Sequence, residues 1–448
     1  IVWGKSLADI FAEQNLPPDF EFKGASSGIS LSYIHRVAGE SDIYFISNQR
    51  QQTDAAECTF RVSGKVPELW YPDTGMIEPA PVWSESEGRT TVQLNFDPAG
   101  SVFVIFRSPA GHQDHIVAVK DMSAAETGTS KLKIQHAVYA AIDSAHGRDV
   151  TTILSRLMQN DKLIVQIEND AFGGDPVMMH AKELRVDYTI DRQPGHVTVP
   201  EGQTLTLPAG AKSGQSSFVE TSIAADGLPV VKAWGNDSVE LHMASGAILH
   251  ATSMDIPAPQ EVTGEWNLSF PPNWGAPPSV TLENLISWTD SPNEGVRYFS
   301  GTATYEKEIQ ISNGQLGVGR ELWLDLGTVK NLAEVSLNGK NLGVLWKPPF
   351  RLNITAAATP GANNLIVKVT NLWPNRLIGD EQLPSDADRS SDGRRLAAWP
   401  QWLLAGKPSP TGRLTFTTWR QYDPNSPLLA SGLIGPVTLQ MAEKIPVK

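Results

Sequence analysis

From about residue 260 onward the chain is written in a two-residue period. The stretches "YFSGTATYEKEIQI", "ELWLDLG", "AEVSLNGKNLGVLW", "NNLIVKVTN" and "LTFTTW" alternate apolar with polar residues. Alternation of this kind gives a segment one apolar and one polar face only when the backbone is extended, so each reads as a strand with one buried side. Asn338-Gly339 joins two such runs, and that dipeptide suits a two-residue hairpin turn whose central residues both need positive φ. Pro360-Gly361 marks another turn. Residues 259–448 therefore read as one β-sandwich of jelly-roll character, set off by the linker "DIPAPQEV".

The earlier part is also strand-rich. "ISLSYIHR", "DIYFISNQ", "AECTFRVSG", "TTVQLNFDP" and "SVFVIFRS" are short and β-branched, with Gly, Pro and Asp between them. Residues 29–130 predict an antiparallel sandwich, and the strands of 209–258 are expected to complete the sheet begun near residue 30. Between these lies an inserted unit, 131–208. Its strands flank "DVTTILSRLMQND", where Asp149 is placed to cap a helix presenting Ile153, Leu154 and Leu157 on one face. A helix is also expected over residues 3–15, with Leu7, Ile10 and Phe11 on one stripe. The fold class is mainly β, as tandem sandwiches with a short N-terminal helix. One helix cannot bury its stripe alone, and the chain opens without Met, so residue 1 is expected to lie inside a longer product.

Charge and composition narrow the partners. A net charge of −13 opposes binding to nucleic acid or an anionic membrane, and no apolar run is long enough to span a bilayer. Thirteen Trp residues supply flat rings that can stack on sugars, although cores use them too. The single cysteine, Cys58, excludes an internal disulfide.

Few motifs carry chemistry. Nine scattered histidines form no zinc pattern, and no nucleophile elbow occurs. "DADRSSDGRR" sets Asp388, Ser390, Asp392 and Gly393 at calcium-loop spacing, but the twelfth position is Trp399 where a bidentate Glu is needed, so a solvated loop is the reading and no metal site is assigned. "NLWPNRLIGDEQLP" gathers Asn375, Arg376, Asp380 and Glu381 after a Trp-Pro break. As a catalytic pair Asp380 and Glu381 are poorly placed, because adjacent side chains of an extended segment point to opposite faces. A polar clasp between domains, with Arg376 forked onto a carboxylate such as Asp380, is the preferred reading, and contact with sugar hydroxyls is the second. His35 and Arg36 end a strand and read as a half-exposed pair or as a pocket wall.

"YFSGTATYEKEI", "LDLGTVKNLAEVSLNGKNLGVLWKPPFRLNIT", "NLWPNRLIGDEQLP" and "SGLIGPVTL" resemble the C-terminal galactose-binding-like sandwich of bacterial glycoside hydrolases, above all family 106 α-L-rhamnosidases. "IHRVAGESDIYFISNQ", "PELWYPDTG" and "SVFVIFR" resemble the β-domain behind the catalytic barrel of those enzymes, and "SLADIFAEQNLPPDF" resembles the barrel's last helical segment, making residues 1–28 the tail of an upstream (β/α)8 barrel. The resemblance implies a periplasmic or extracellular saccharide hydrolase whose carboxylates, and a calcium ion in the full-length enzyme, lie upstream of residue 1. No catalytic residue and no cofactor is assigned within this chain. His35, Arg36, Trp346 and Trp373 are then candidates for an active-site wall or sugar platform. A stand-alone carbohydrate-binding or adhesion protein is the alternative function.

Overall fold

The computed structural model describes residues 3–447 apart from 15, 25–27, 112–113, 123–130, 143–145, 159–160, 162, 168, 178–179, 181, 202–203, 208–218 and 225. The fold is mainly β, in antiparallel sheets. Its chain forms two compact units that divide between Ile256 and Pro257, with the residues from Ala442 onward returning to the first.

In the first unit, a sandwich pairs a four-stranded sheet with a five-stranded one. The former runs Phe20–Gly24, Asp54–Phe60, Arg89–Phe96, Trp83–Ser86; the latter runs Leu31–Ala38, Ser41–Asn48, Ser101–Pro109, Lys65–Trp70, Ile77–Pro79. Every second residue is buried, as Tyr44 and Ile46 or Val92, Leu94 and Phe96 illustrate, and these meet Cys58, Phe60 and Phe106 in one core. Burial pushes the Cys58 thiol well above its ordinary value, which keeps it protonated and inert. The sandwich begins before residue 29, because Phe20–Gly24 pairs in register with Ala56–Phe60. Ahead of it a helix covers Leu7–Glu13, shorter than the expected 3–15; the Ser6 hydroxyl accepts from the Asp9 N–H. Phe11 on this helix is exposed and Ile10 half-buried.

The inserted unit has its own core. Leu132–Ala141 pairs with Lys182–Ile190, which continues into Gln193–Pro200, and Leu163–Gln166 pairs with Thr204–Leu207. The helix Thr151–Leu157 buries Leu154 and packs Ile153 and Leu157 on that core, as its spacing foretells. Its cap differs from the expectation. Val150 occupies the N-cap position, and Asp149, one residue earlier, accepts the Thr151 N–H over 2.9 Å.

The strands after residue 216 do not complete the sheet begun near residue 30. Ser238–Met243 pairs with Ile116–Asp121 and Ile248–Thr252, while Pro229–Ala233 pairs with Glu220–Ile223 and with Glu443–Pro446. Their apolar faces, Val231, Val239 and Leu241, build a separate cluster with Val82 and Ile116. Alternation correctly announces strands here, but it does not name their neighbours.

In the second unit a six-stranded sheet runs Ser279–Leu282, Trp266–Ser269, Thr302–Ile311, Gly361–Thr370, Leu332–Leu337, Lys340–Leu345. Asn338 and Gly339 have φ of 52° and 78°, and the turn sets Leu337 opposite Lys340. Trp266, Trp288 and Tyr305 are fully buried in the core with Leu324, Val335 and Val367. Rings of this size bury some 150–250 Å² each, about 4–6 kcal/mol of transfer free energy as an upper bound. Two expectations fail in this unit. Residues 374–380 are helical, because Pro374 serves as a first-turn residue with its φ already set. "LTFTTW" is not a ladder strand, since the N–H groups of Leu414 and Thr415 donate to the Asp380 carboxylate.

Candidate functional site

The helix Pro374–Asp380 carries the polar set singled out from the sequence, and most of it is buried. Each member has a defined partner in the second unit. Asn375 behaves as a piece of backbone: its Nδ2 donates to the Leu429 carbonyl at 2.7 Å and its Oδ1 accepts the Leu429 N–H at 2.8 Å. Arg376 reaches Asp380 one helical turn on, with Nη2 3.0 Å from Oδ1. That is a single contact; the expected fork does not form there.

The fork comes from Arg413 instead. Its Nη1 and Nη2 meet the two oxygens of Glu381 at 3.2 and 3.3 Å, and Arg420 Nε adds a contact of 2.7 Å. Arg413 also donates to the carbonyls of Leu383 and Pro384, so it ties the end of the helix to the segment 413–420. Asp380 accepts from the N–H groups of Leu414 and Thr415 and from the Thr415 hydroxyl, the last at 2.6 Å. The set thus clasps two segments of one unit. Chemically, neither carboxylate has an unengaged oxygen to exchange a proton with a substrate.

Beside this clasp lies a pocket of about 60 Å³ lined by Asp380, Glu381, Asp386, Arg389, Trp419 and Tyr422 among others. Small-molecule pockets usually measure roughly 300–1,000 Å³, so it cannot enclose a sugar ring. Asp386 is held by its carbonyl, which accepts the Trp402 Nε1–H at 2.7 Å, while its Oδ2 is buried with no hydrogen-bond partner among the described residues. Sequence reasoning missed Arg413, Arg420, Thr415 and Asp386. Only the segment's surplus of charge hinted at distant partners.

The other sequence candidates are apart from this pocket's lining. His35, on Leu31–Ala38, sets Nδ1 3.1 Å from Asp19 and Nε2 3.3 Å from Asp42, and its ring stacks on Tyr44 at 4.0 Å. Burial and then the Asp19 charge push the Tyr44 phenol above its ordinary value. Both ring nitrogens of His35 are thereby occupied. Arg36 is exposed and donates to the carbonyl of His35. Trp346 and Trp373 are each 56% exposed, and Trp373 meets Trp274 edge-on.

Asp392 Oδ1 accepts the Ser390 hydroxyl and the Arg394 N–H, bonds that hold its carboxyl below the usual range. Among the described residues no group of three or more His, Cys, Asp or Glu is placed to hold a metal ion. Nor is any described helix long and apolar enough to cross a membrane.

Comparison with known proteins relates this chain to glycoside hydrolases. Residues 1–83 match the family model described as alpha-L-rhamnosidase, glycoside hydrolase family 106. The chain is similar to the rhamnosidase from Novosphingobium sp. PP1Y, with a TM-score of 0.54 and 27% identity over 98% of this chain and 26% of that one. Across 98% of its length it is also 30% identical to a putative beta-glucuronidase of Formosa agariphila, of which it covers 46%. The chain therefore spans less than half of each relative, and it resembles the family 106 α-L-rhamnosidases.

Proposed function

We propose that this chain works as the non-catalytic, C-terminal part of a rhamnosidase-like glycoside hydrolase acting on terminal sugars of plant or bacterial saccharides. The observation that carries this reading is the likeness to a solved rhamnosidase over nearly the whole chain, joined to the family match at residues 1–83. In this reading the bond-breaking carboxylates come from a (β/α)8 barrel outside the 448 residues, and the enzyme operates in the periplasm or outside the cell. The galactose-binding-like sandwich of the second unit supports the barrel and brings saccharide to it. Full engagement of Asp380 and Glu381 by guanidinium and backbone donors is consistent with such a supporting role.

The test compares two polypeptides on an aryl α-L-rhamnoside. Residues 1–448 joined to the coding sequence that precedes them should release rhamnose, and residues 1–448 alone should not. Release by the shorter chain overturns the proposal, and so does a longer chain that is folded but cleaves only β-glucuronides.

A further inference from the structure

The first unit's sandwich is lopsided. Its four-stranded sheet turns a polar face outward, with Glu57 opposite Gln93 and the Thr59 and Thr91 hydroxyls 2.9 Å apart, as expected of a layer that meets water. The five-stranded sheet does not. On the side away from the core, Ile34, Phe45, Phe103, Trp70 and Ile77 stand in one row across all five strands, each the register partner of the next. Ile43 and Ile105 pair in the adjoining row. Two inner strands carry the same message in their residues: "IYFI" and "VFVIF" are unbroken apolar runs, the pattern of strands covered on both sides, whereas "TVQLNF" alternates.

Within this chain the row is only partly covered. Ile34 and Ile77 at its ends are 53% and 54% exposed, and Phe45, Phe103 and Trp70 between them are half-buried. Charge beside the row comes from Arg36, opposite Ile43, and from the ion pair of Arg107 with Glu68, whose guanidinium lies 5.4 Å from the centre of the Trp70 ring. Four gaps of about 4.8 Å make the row about 19 Å wide, which suits two helices lying side by side at their usual spacing of about 8–10 Å. A second copy of the chain is a poor occupant, because each copy carries a charge of −13. The rest of a longer polypeptide fits better. More than half of each similar protein lies outside these residues, and four of the five strands fall within residues 1–83, which the family model matches. The approach to the sandwich is bare as well, with Trp3, Phe11 and Leu16 exposed.

We propose that the outer face of the five-stranded sheet is the seat of the catalytic part, and that two neighbouring helices of the barrel's outer ring lie on the row from Ile34 to Ile77. The inference rests on the proposed reading that a (β/α)8 barrel belongs to the same polypeptide.

Thiol labelling tests this cleanly, since Cys58, the single cysteine of the 448 residues, is buried and protonated. Ile34→Cys, Ile77→Cys and, at an exposed position on the polar face of the other sheet, Asn95→Cys are made both in residues 1–448 and in the longer polypeptide. Maleimide uptake at each position is timed by peptide mass mapping. Ile34→Cys and Ile77→Cys should react at least about tenfold more slowly in the longer chain, whereas Asn95→Cys should react alike in both. Cys58 staying unlabelled reports an intact core, and if one substitution opens that core the other still reads the face. Equal rates in the two chains at both isoleucine positions overturn the seat, and so does protection that moves to Asn95→Cys. Slow labelling of the shorter chain that disappears on dilution would assign the face to a second copy and overturn it equally. Protection in a longer chain that releases no rhamnose keeps this inference while the rhamnosidase reading falls; release without protection does the reverse.

Discussion

Arg413 closes a fork on Glu381, two nitrogens on two oxygens at 3.2 and 3.3 Å, with the side chains 8% and 7% exposed. Removing one member leaves buried charge uncompensated. Glu381→Ala should cost about 3–5 kcal/mol, on the order of 6–20 °C in the melting of the second unit. Arg376→Ala should cost less, because Asp380 keeps its bonds from the Leu414 and Thr415 N–H groups and the Thr415 hydroxyl. Calorimetric melts of both variants provide the check, and an unchanged melting temperature would mean that water reaches these pairs.

A second outcome concerns the buried Tyr305 hydroxyl, which accepts the Trp288 Nε1–H at 2.6 Å and the Leu433 N–H at 3.0 Å. Tyr305→Phe leaves two core donors without an acceptor, and a loss of about 2–4 kcal/mol is expected in denaturant titration. Trp288→Phe combined with it should lose less than the two single losses summed, because one of the stranded donors is then gone. Strict additivity would rule out the shared hydroxyl.

Much of this was legible from the chain and some was not, for reasons that are physical. The Asn338-Gly339 hairpin and the Leu154 face of the short helix depend on residues within a few positions of each other, so local period and turn chemistry suffice. Helix 374–380 was hidden because Pro374 reads equally as a break or as a first turn. The true fork joins residues 32 positions apart, and no spacing rule links Glu381 to Arg413. Strands 220–252 show the same limit, since their alternation says nothing about which edge they find.

Glycine at 432 should prove irreplaceable. Its φ is +96°, and a Cβ there would stand 2.5 Å from Trp288 Nε1 and 2.7 Å from the Tyr305 hydroxyl. Gly432→Ala combines left-handed strain with overpacking, each worth about 1–3 kcal/mol. Soluble yield and melting temperature should both fall; a variant that melts like the parent would mean the core yields freely at this point.

Acid dependence has a defined sign at Asp325. Burial raises its carboxyl above the usual value, against the opposing pull of the Gly327 N–H at 2.8 Å and the Arg351 charge. The folded state therefore binds the proton more tightly than the unfolded one. Its contribution is full below the ordinary carboxylate range and is lost as pH rises through the folded value. Asp325→Asn cannot ionise, so denaturation midpoints between pH 3 and 7 should show it gaining on the parent as pH rises. Parallel curves would contradict this.

The last strand has a consequence for biogenesis. Val230–Ala233 waits for partners at 443–446, roughly 210 residues later, a delay of about 10–40 s at ordinary translation speeds. Throughout that interval a nascent polypeptide displays the open edge of a Val-rich strand, the kind of template on which stray chains assemble. A ribosome stalled anywhere before residue 443 would release a product with that edge permanently bare, so clearance of truncated products by cellular quality control should matter more for this protein than for one whose strands pair as they emerge.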